Sequence, residues 1–288
     1  IALIGFSLLI TGFAQAEMTA REIVQKMNDN QLLTTDSSFN LLQLTSCKYG
    51  THNGKLKCVE KPRIKVLESA QINLGTDNKD SHSITIILEP ASEKGIGMLT
   101  YTYDASEQDN ETWLYLSALG KVKRIASGRN EENTEPTSVF GSEISTEDQE
   151  TGKLDHYTYK ILQRGNYKGR PVAVIESVPT VEGIKHTRYG KLRTWVDSER
   201  FISLKIQMFD KRGNVIKQVS VSNIERINGI WLARSMTFKN LVSQRLTNMK
   251  IKAITFGLDI DAAFLTQRAL TDQAFRQRHL QALRAQAQ

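Results

Sequence analysis

Most of this chain is a succession of strand-like segments that are joined by short turns, apart from one long irregular stretch from Gly128 to Lys153. Between about Phe39 and Phe256, each segment is short and rich in β-branched or aromatic residues, and turn sequences such as KRGN and ING separate them. In order they read LLQLTSC, IKVLESAQINL, SITIILEP, IGMLTYTY, TWLYLSA, VKRIAS, HYTYKILQ, PVAVIESV, LRTWVD, FISLKIQMFD, VIKQVSVSNIERI, WLARSMTFKN and RLTNMKIKAITF. Consecutive strands with short connections pair with their neighbours. The sequence therefore predicts a mainly β protein with a single meandering antiparallel sheet.

The segment RFISLKIQMFD alternates apolar and polar residues, which is typical of a strand with one buried and one wet face. A long curved sheet with few helices to cover it either packs an ordinary core or curls into an unclosed β-barrel around an apolar cavity. The candidates for a cavity lining are Met98, Tyr101, Trp113, Tyr115, Ile202, Leu204, Ile206 and Met208. The segment TWLYL is apolar on both faces, so either Trp113 or Leu114 could point into the cavity.

Helices are expected at the two ends of the sheet. Thr19 and Glu22 have the spacing of a capping box, and they precede a short amphipathic segment. From about residue 259 the composition predicts a basic C-terminal helical tail with an imperfect apolar stripe. That tail either packs on the sheet or docks on a membrane surface or partner.

The first sixteen residues, IALIGFSLLITGFAQA, carry no charge and end in a small-x-small pattern. This is typical of the apolar region and cleavage site of a secretory signal peptide, and it is short for a membrane span. We therefore expect residues 1–16 to be a signal peptide truncated at its start, and residues 17–288 to form one exported domain. No Cys stands at the cleavage point, so we expect a periplasmic protein without a lipid anchor.

Cys47 and Cys58 flank a stretch of turn-forming residues. In an oxidising compartment a hairpin disulfide is the favoured interpretation, and free thiols or a metal site are the alternatives. A four-residue loop from Thr51 to Gly54 would place the cysteines opposite each other, whereas a two-residue Asn53-Gly54 turn would offset them.

Signatures of catalysis and of cofactor binding are lacking from the sequence. It contains no GxSxG, HExxH, P-loop or dinucleotide-binding motif, and its five histidines are scattered. Two acidic groups, around Glu131 and around Glu147, are expected to form a solvated face or to fold onto a basic strand. The net charge of +7 favours anionic partners such as lipid headgroups, but the basic runs are too short for nucleic acid. We therefore expect a non-enzymatic protein without metal or cofactor.

The segment WLYLSALGKVKRIAS, the loop SVFGSEISTEDQ and the strand YTYKIL together resemble the bacterial outer-membrane lipoprotein-sorting protein family, distant relatives of the carrier LolA. Ser117 stands where the family usually has Pro, and Glu143 stands where it has Asp. The later WVD, FDKRGNVIK and FLTQRAL segments follow in the family's order, so the resemblance runs from about Thr19 to Leu270.

This resemblance implies an unclosed β-barrel with helices as a lid, a cavity for acyl chains, and transfer of lipids or lipoproteins through the periplasm. It also implies an association with permeases of the resistance-nodulation-division (RND) type. The leading hypothesis is a carrier of a lipid or lipidated protein, and the alternative is an accessory module that docks on an RND-type permease. The candidate contacts for a headgroup or partner are Lys121, Lys123, Arg124, Phe140 and Gly141.

Overall fold

The computed structural model describes residues 17–32, 36–75, 78–105, 108–125, 138–149 and 153–287. The predicted signal peptide and the first acidic group, around Glu131, lie outside these ranges. The described residues confirm a mainly β protein built on one antiparallel sheet that does not close into a barrel. Among the described helices, none combines the length and the apolar character needed to cross a bilayer.

The sheet has fourteen strands in the described part of the chain, and each predicted segment forms one of them. Their bounds are β1 Ser37–His52, β2 Lys55–Cys58, β3 Arg63–Leu74, β4 Asp80–Glu89, β5 Gly97–Thr102, β6 Glu111–Leu116, β7 Lys121–Ile125, β8 Tyr157–Tyr167, β9 Arg170–Pro179, β10 Lys191–Asp197, β11 Ser203–Phe209, β12 Val215–Ile227, β13 Ile230–Asn240 and β14 Arg245–Phe256. The order across the sheet is β7-β6-β5-β4-β3-β1-β14-β13-β12-β11-β10-β9-β8, and β2 pairs with β1. Thus the chain meanders outward from β1 to one edge at β7, and from the other edge at β8 it meanders back to β14.

The C-terminal helices pack on the convex face of β3 to β7. They are α2 (Gln267–Thr271) and α3 (Gln273–Gln286), and a 3₁₀ turn at Ala262–Phe264 precedes them. Phe264, Leu270 and Leu280 are almost fully buried against strand residues such as Ile84 and Leu99. The Arg284 guanidinium donates two hydrogen bonds, of 2.6 and 2.7 Å, to the Glu68 carboxylate on β3. The predicted C-terminal helix is therefore a packed part of the fold.

The N-terminal helix α1 (Ala20–Leu32) lies against the opposite half of the sheet. Its start is the predicted capping box: the Thr19 backbone N–H donates to Glu22 Oε2 at 2.7 Å, and the Glu22 N–H donates to Thr19 Oγ1 at 3.3 Å. The Thr19 backbone hydrogen bond lowers the pKa of Glu22. Ile23 is buried against Ala173 and Ile175 of β9, so α1 covers part of the concave face.

Candidate functional site

The concave face of the sheet encloses a cavity of about 1400 Å³. Typical ligand sites have volumes of roughly 300–1,000 Å³, so this cavity is larger than most. Strands β1 and β3 to β14 contribute residues to its lining, and α1 covers part of it with Val24, Met27 and Asn28. Alternate residues of a strand point to opposite faces. Strands such as β3 and β4 therefore contribute every second side chain to the cavity.

One part of the cavity is apolar. It comprises the wall formed by β11 to β14, together with the ends of β1, β3 and β5 nearest the loop at residues 138–149. Its side chains are Leu42, Leu44, Leu67, Met98, Ile206, Met208, Val219, Val221, Met236, Phe238, Met249 and Ile251. Four of these twelve are unbranched methionines, which adapt to irregular ligand shapes. This wall can take up hydrocarbon.

The other wall, on β3 to β6 and the start of β1, is polar and uncharged. Hydroxyl and amide side chains face the cavity here: Ser38, Asn40, Ser69, Gln71, Asn73, Ser81, Ser83, Thr85, Thr100, Thr102 and Thr112. We call these residues the polar wall. The sequence analysis did not predict this wall, although hydroxyl residues at the alternate positions Ser81, Ser83 and Thr85 of β4 indicate a polar face.

The loop at residues 138–149 closes one end of the cavity. Val139, Phe140 and Ile144 are buried in the apolar cluster that contains Met98 and Met208. The Lys65 ammonium donates to the Phe140 carbonyl oxygen at 2.6 Å and so ties the loop to β3. The loop is therefore a plug built into the core.

The described acidic side chains of this loop are fully or largely buried, so the expectation of a solvated face is wrong for Glu143, Glu147 and Asp148. Glu150 lies outside the described residues. The Asp148 side chain has no exposed surface, and it forms an ion pair with Lys217, whose side chain is 5% exposed. The Tyr189 hydroxyl also donates to Asp148 Oδ1, at 2.7 Å. Burial raises the pKa of Glu147, whose Oε1 accepts hydrogen bonds from the Thr187 hydroxyl and, at 3.1 Å, from the Arg188 backbone N–H. These carboxylates have a structural role.

Charged groups gather where the two halves of the sheet approach each other. The Lys153 ammonium donates to the carbonyl oxygens of Ala105 and, at 2.7 Å, of Gln108. His186 stacks on His156 with ring centroids 4.9 Å apart, and its Nδ1 lies 3.8 Å from Asp109 Oδ1. Burial lowers the pKa of His156. The charges of the cavity mouth are therefore spread over several segments.

Three of the eight predicted lining residues face the cavity: Met98, Ile206 and Met208. Ile202 lies at the border of the cavity, but it packs on the convex-face cluster of Val172 and Val174. That they bind a ligand stays a prediction. The prediction for Leu204 is wrong, because a β-bulge opposite Trp195 and Val196 turns Leu204 to the convex face, where it packs on Val172 and Val174.

The prediction that Tyr101, Trp113 and Tyr115 line the cavity is also wrong. These side chains pack on the convex face beneath the C-terminal helices. The Tyr101 hydroxyl donates to the Leu265 carbonyl oxygen at 2.8 Å, and the Tyr101 and Trp113 rings meet edge to face at 5.0 Å. Leu114 has the other parity and packs on the cavity-side apolar cluster.

The predicted basic contacts lie on β7, at one edge of the sheet. Lys121 and Lys123 are exposed, and Lys123 faces the cavity. Arg124 is already engaged, since its guanidinium lies 2.6 Å from Glu111 Oε1. Phe140 is only 7% exposed, whereas Gly141 is exposed, and contact of a partner or headgroup with these two residues stays a prediction.

Cys47 and Cys58 form a disulfide with Cα atoms 5.7 Å apart. The connecting hairpin uses the two-residue turn, with Asn53 and Gly54 both at positive φ, and it places Cys58 opposite Tyr49. The described residues contain no group of three or more His, Cys, Asp or Glu side chains that could hold a metal ion.

Comparison with solved structures identifies the fold. A DUF1329 family protein from Desulfovibrio piger aligns with a TM-score of 0.74 at 23% identity, over 87% of this chain and 97% of that one. A domain from Vibrio parahaemolyticus, described as an outer membrane lipoprotein-sorting protein, aligns with a TM-score of 0.74 at 21% identity, over 88% and 98%. A LolA superfamily protein from Nitrosomonas europaea aligns with a TM-score of 0.61 at 15% identity, over 87% and 98%.

None of the curated proteins matches this sequence. A family model described as "-like: Uncharacterized protein" matches residues 79–272, which is more than half of the chain. The matched region contains β4 to β14, and thus much of both cavity walls, together with the loop that plugs the cavity. The chain therefore belongs to the family that this model describes, and its fold is that of the LolA-like lipoprotein-sorting proteins.

Proposed function

We propose that this protein is a non-enzymatic periplasmic carrier that holds a lipid or a lipidated protein in its cavity for transfer toward the outer membrane. The observation that carries the proposal is the apolar wall of a cavity of about 1400 Å³. Burial of one CH₂ group contributes about 0.8 kcal/mol, so ten such groups contribute about 8 kcal/mol before the costs of association. One long acyl chain therefore provides useful affinity.

Two observations and one sequence prediction support this assignment. The fold is shared with a domain described as an outer membrane lipoprotein-sorting protein. The Cys47–Cys58 disulfide is typical of an oxidising compartment such as the periplasm. The predicted signal peptide at residues 1–16 would provide the route of export.

The proposal is tested by titrating the purified protein with a dansyl-labelled long-chain fatty acid and by mass spectrometry of lipids that co-purify with it. Ile206→Trp introduces a bulky side chain into the cavity, whereas Gln207→Trp places the same ring on the convex face of the same strand. We expect the first variant to lose probe binding and the second to retain it. If the wild-type protein binds no probe and carries no lipid, or if it shows reproducible turnover of a lipid, the proposal is wrong.

The second candidate function is docking on an RND-type permease, and the exposed basic edge strand β7 favours it. The test reverses the charges of Lys121 and Lys123, since Arg124 is held by Glu111. If Lys121→Glu with Lys123→Glu abolishes association with a permease or membrane but leaves probe binding unchanged, docking is supported. Loss of probe binding instead assigns these lysines to a headgroup.

A further inference from the structure

The two halves of the sheet have opposite polarity. In β4, the apolar residues Ile84 and Ile86 point to the convex face and pack under the C-terminal helices, while Ser83 and Thr85 point into the cavity. In β12, by contrast, Val219 points into the cavity. An acyl chain gains its hydrophobic stabilisation from apolar surface, so the polar wall on β3 to β6 requires a separate explanation.

The polar wall is continuous across strands. One row of directly opposed residues runs over five strands, and it consists of Ser38, Gln71, Ser83, Thr100 and Thr112 in β1, β3, β4, β5 and β6. Side chains that are opposed in this way lie next to each other on one face. The row therefore forms a strip of uncharged hydrogen-bonding groups along the cavity.

A second row of polar residues lies next to the first, and some of its hydroxyl groups form hydrogen bonds with each other. It begins with Asn40, Ser69 and Thr85, and the hydroxyls of Ser69 and Thr85 are 2.9 Å apart. The Asn40 Oδ1 atom is buried and has no hydrogen-bond partner among the described residues. The same is true of Asn28 Oδ1, on the helix that covers the cavity. Both atoms are acceptors, and a buried acceptor is stabilised by a donor such as a hydroxyl group.

The lack of charged residues in the two rows limits the class of ligand that can bind there. Where these rows cross β1 and β3 to β6 they contain no Asp, Glu, Lys or Arg, whereas charged side chains such as Lys79 and Asp104 line the mouth. A buried charge needs a partner of opposite sign. A headgroup that lies against these rows is therefore uncharged and bears hydroxyl groups.

We propose that the cavity binds a neutral, hydroxyl-rich amphiphile, such as a glycolipid, with its hydrocarbon part against the apolar wall and its hydroxyl groups against the polar wall. This inference rests on the carrier function proposed above, and it specifies the ligand class of the same cavity. Hydroxyl groups of the ligand donate to Asn40 Oδ1 and Asn28 Oδ1, and they exchange hydrogen bonds with Ser83, Thr100 and Thr112.

The test compares two probes with the same alkyl chain, dodecyl maltoside below its micelle concentration and dodecanoate, by calorimetric titration of the full chain. Thr100→Val removes one hydroxyl from the polar wall while it keeps the side-chain volume. We expect this variant to bind dodecyl maltoside about fivefold more weakly, the equivalent of one hydrogen bond, and to bind dodecanoate unchanged. Ser83→Ala, in the same row, is expected to act in the same direction.

The matched control is Thr255→Val, because Thr255 pairs with Phe39 and points away from the cavity. We expect this variant to bind both probes as the wild-type protein does. If the wild-type protein binds dodecanoate but not dodecyl maltoside, or if Thr100→Val and Ser83→Ala both leave maltoside binding unchanged, the ligand class is wrong and the carrier function stands. If the wild-type protein binds neither probe, and also binds no dansyl-labelled fatty acid and carries no co-purified lipid, the carrier function itself is refuted.

Discussion

The buried ion pair between Lys217 and Asp148 should be essential for stability. The Asp148 side chain is fully buried and Lys217 is only 5% exposed. Lys217→Met keeps the volume in β12 but removes the ammonium group, so Asp148 keeps only the neutral donors Tyr189 Oη at 2.7 Å and Ser145 N at 2.8 Å as direct partners. The Arg188 guanidinium acts on Asp148 from behind Tyr189, to whose Oη it donates at 3.0 Å. Removing one partner of a buried pair costs about 3–5 kcal/mol. We expect the free energy of unfolding to fall by this amount, a large part of the roughly 5–15 kcal/mol typical of folded proteins.

Urea denaturation followed by circular dichroism measures this loss. The matched control is Lys185→Met, because Lys185 and Glu182 form a pair whose side chains are 61% and 58% exposed, and such pairs contribute less than about 1 kcal/mol. Adding Asp148→Asn to Lys217→Met removes the unpaired charge and should restore at least about 1 kcal/mol. If Lys217→Met destabilises the protein no more than Lys185→Met does, the loop at residues 138–149 is not held by this ion pair.

Three further changes have definite expected outcomes. Since the native pKa of Glu147 is raised above its ordinary value of 4.5, the native state binds this proton more tightly than the unfolded chain. Unfolding free energy should fall as pH rises from 4.5 through the raised pKa, and Glu147→Gln should flatten that slope in urea titrations at several pH values. Gly183→Ala should lower the free energy of unfolding by about 1–3 kcal/mol, because the added Cβ would lie 2.0 Å from a backbone carbonyl oxygen. Gly165→Ala is the control, since its Cβ would meet nothing within 4 Å. Equal thermal midpoints for the two variants would contradict this expectation. Replacing Cys47 and Cys58 by Ser opens a loop with a sequence separation of 11 and should lower the unfolding free energy by about 3 kcal/mol, whereas an unchanged urea midpoint would refute a stabilising role.

The strands and the helix start could be predicted because their signals are local. Alternation with a period of two identifies a strand whatever lies on either side of it, and the Thr19–Glu22 capping box spans only four residues. The hairpin turn at Asn53-Gly54 was one of two predicted possibilities, and the positive φ angles of both residues explain why the two-residue turn is adopted.

The burial of the acidic loop could not be predicted, because its partners are distant in sequence. Tyr189 lies 41 residues beyond Asp148, and Lys217 lies 69 residues beyond it. A run of acidic residues in a polar stretch normally indicates a solvated surface. Only the folded sheet brings the ammonium and the phenol to the carboxylate.

The orientation of TWLYL was ambiguous for a related reason. Both parities are apolar, so the choice between Trp113 and Leu114 depends on which face another element covers. The C-terminal helices are about 150 residues further along the chain, and they pack on the face that presents Trp113 and Tyr115. The larger aromatic side chains consequently fill the space under the helices, and the alternate residues of the strand, such as Leu114, lie on the cavity side.

The placement of these helices also accounts for the amphipathic cavity. In β4 and β5 the convex face is buried under α2 and α3, so apolar residues such as Leu99 are used there and Thr100 faces inward. In β11 and β12 the part-exposed polar residues Gln207 and Gln218 are on the convex face, and Ile206 faces inward. A strand with one apolar face turns that face toward whichever side excludes water. Covering one half of the convex surface therefore leaves a polar wall opposite an apolar one, and this arrangement suits a ligand with two chemically different sides.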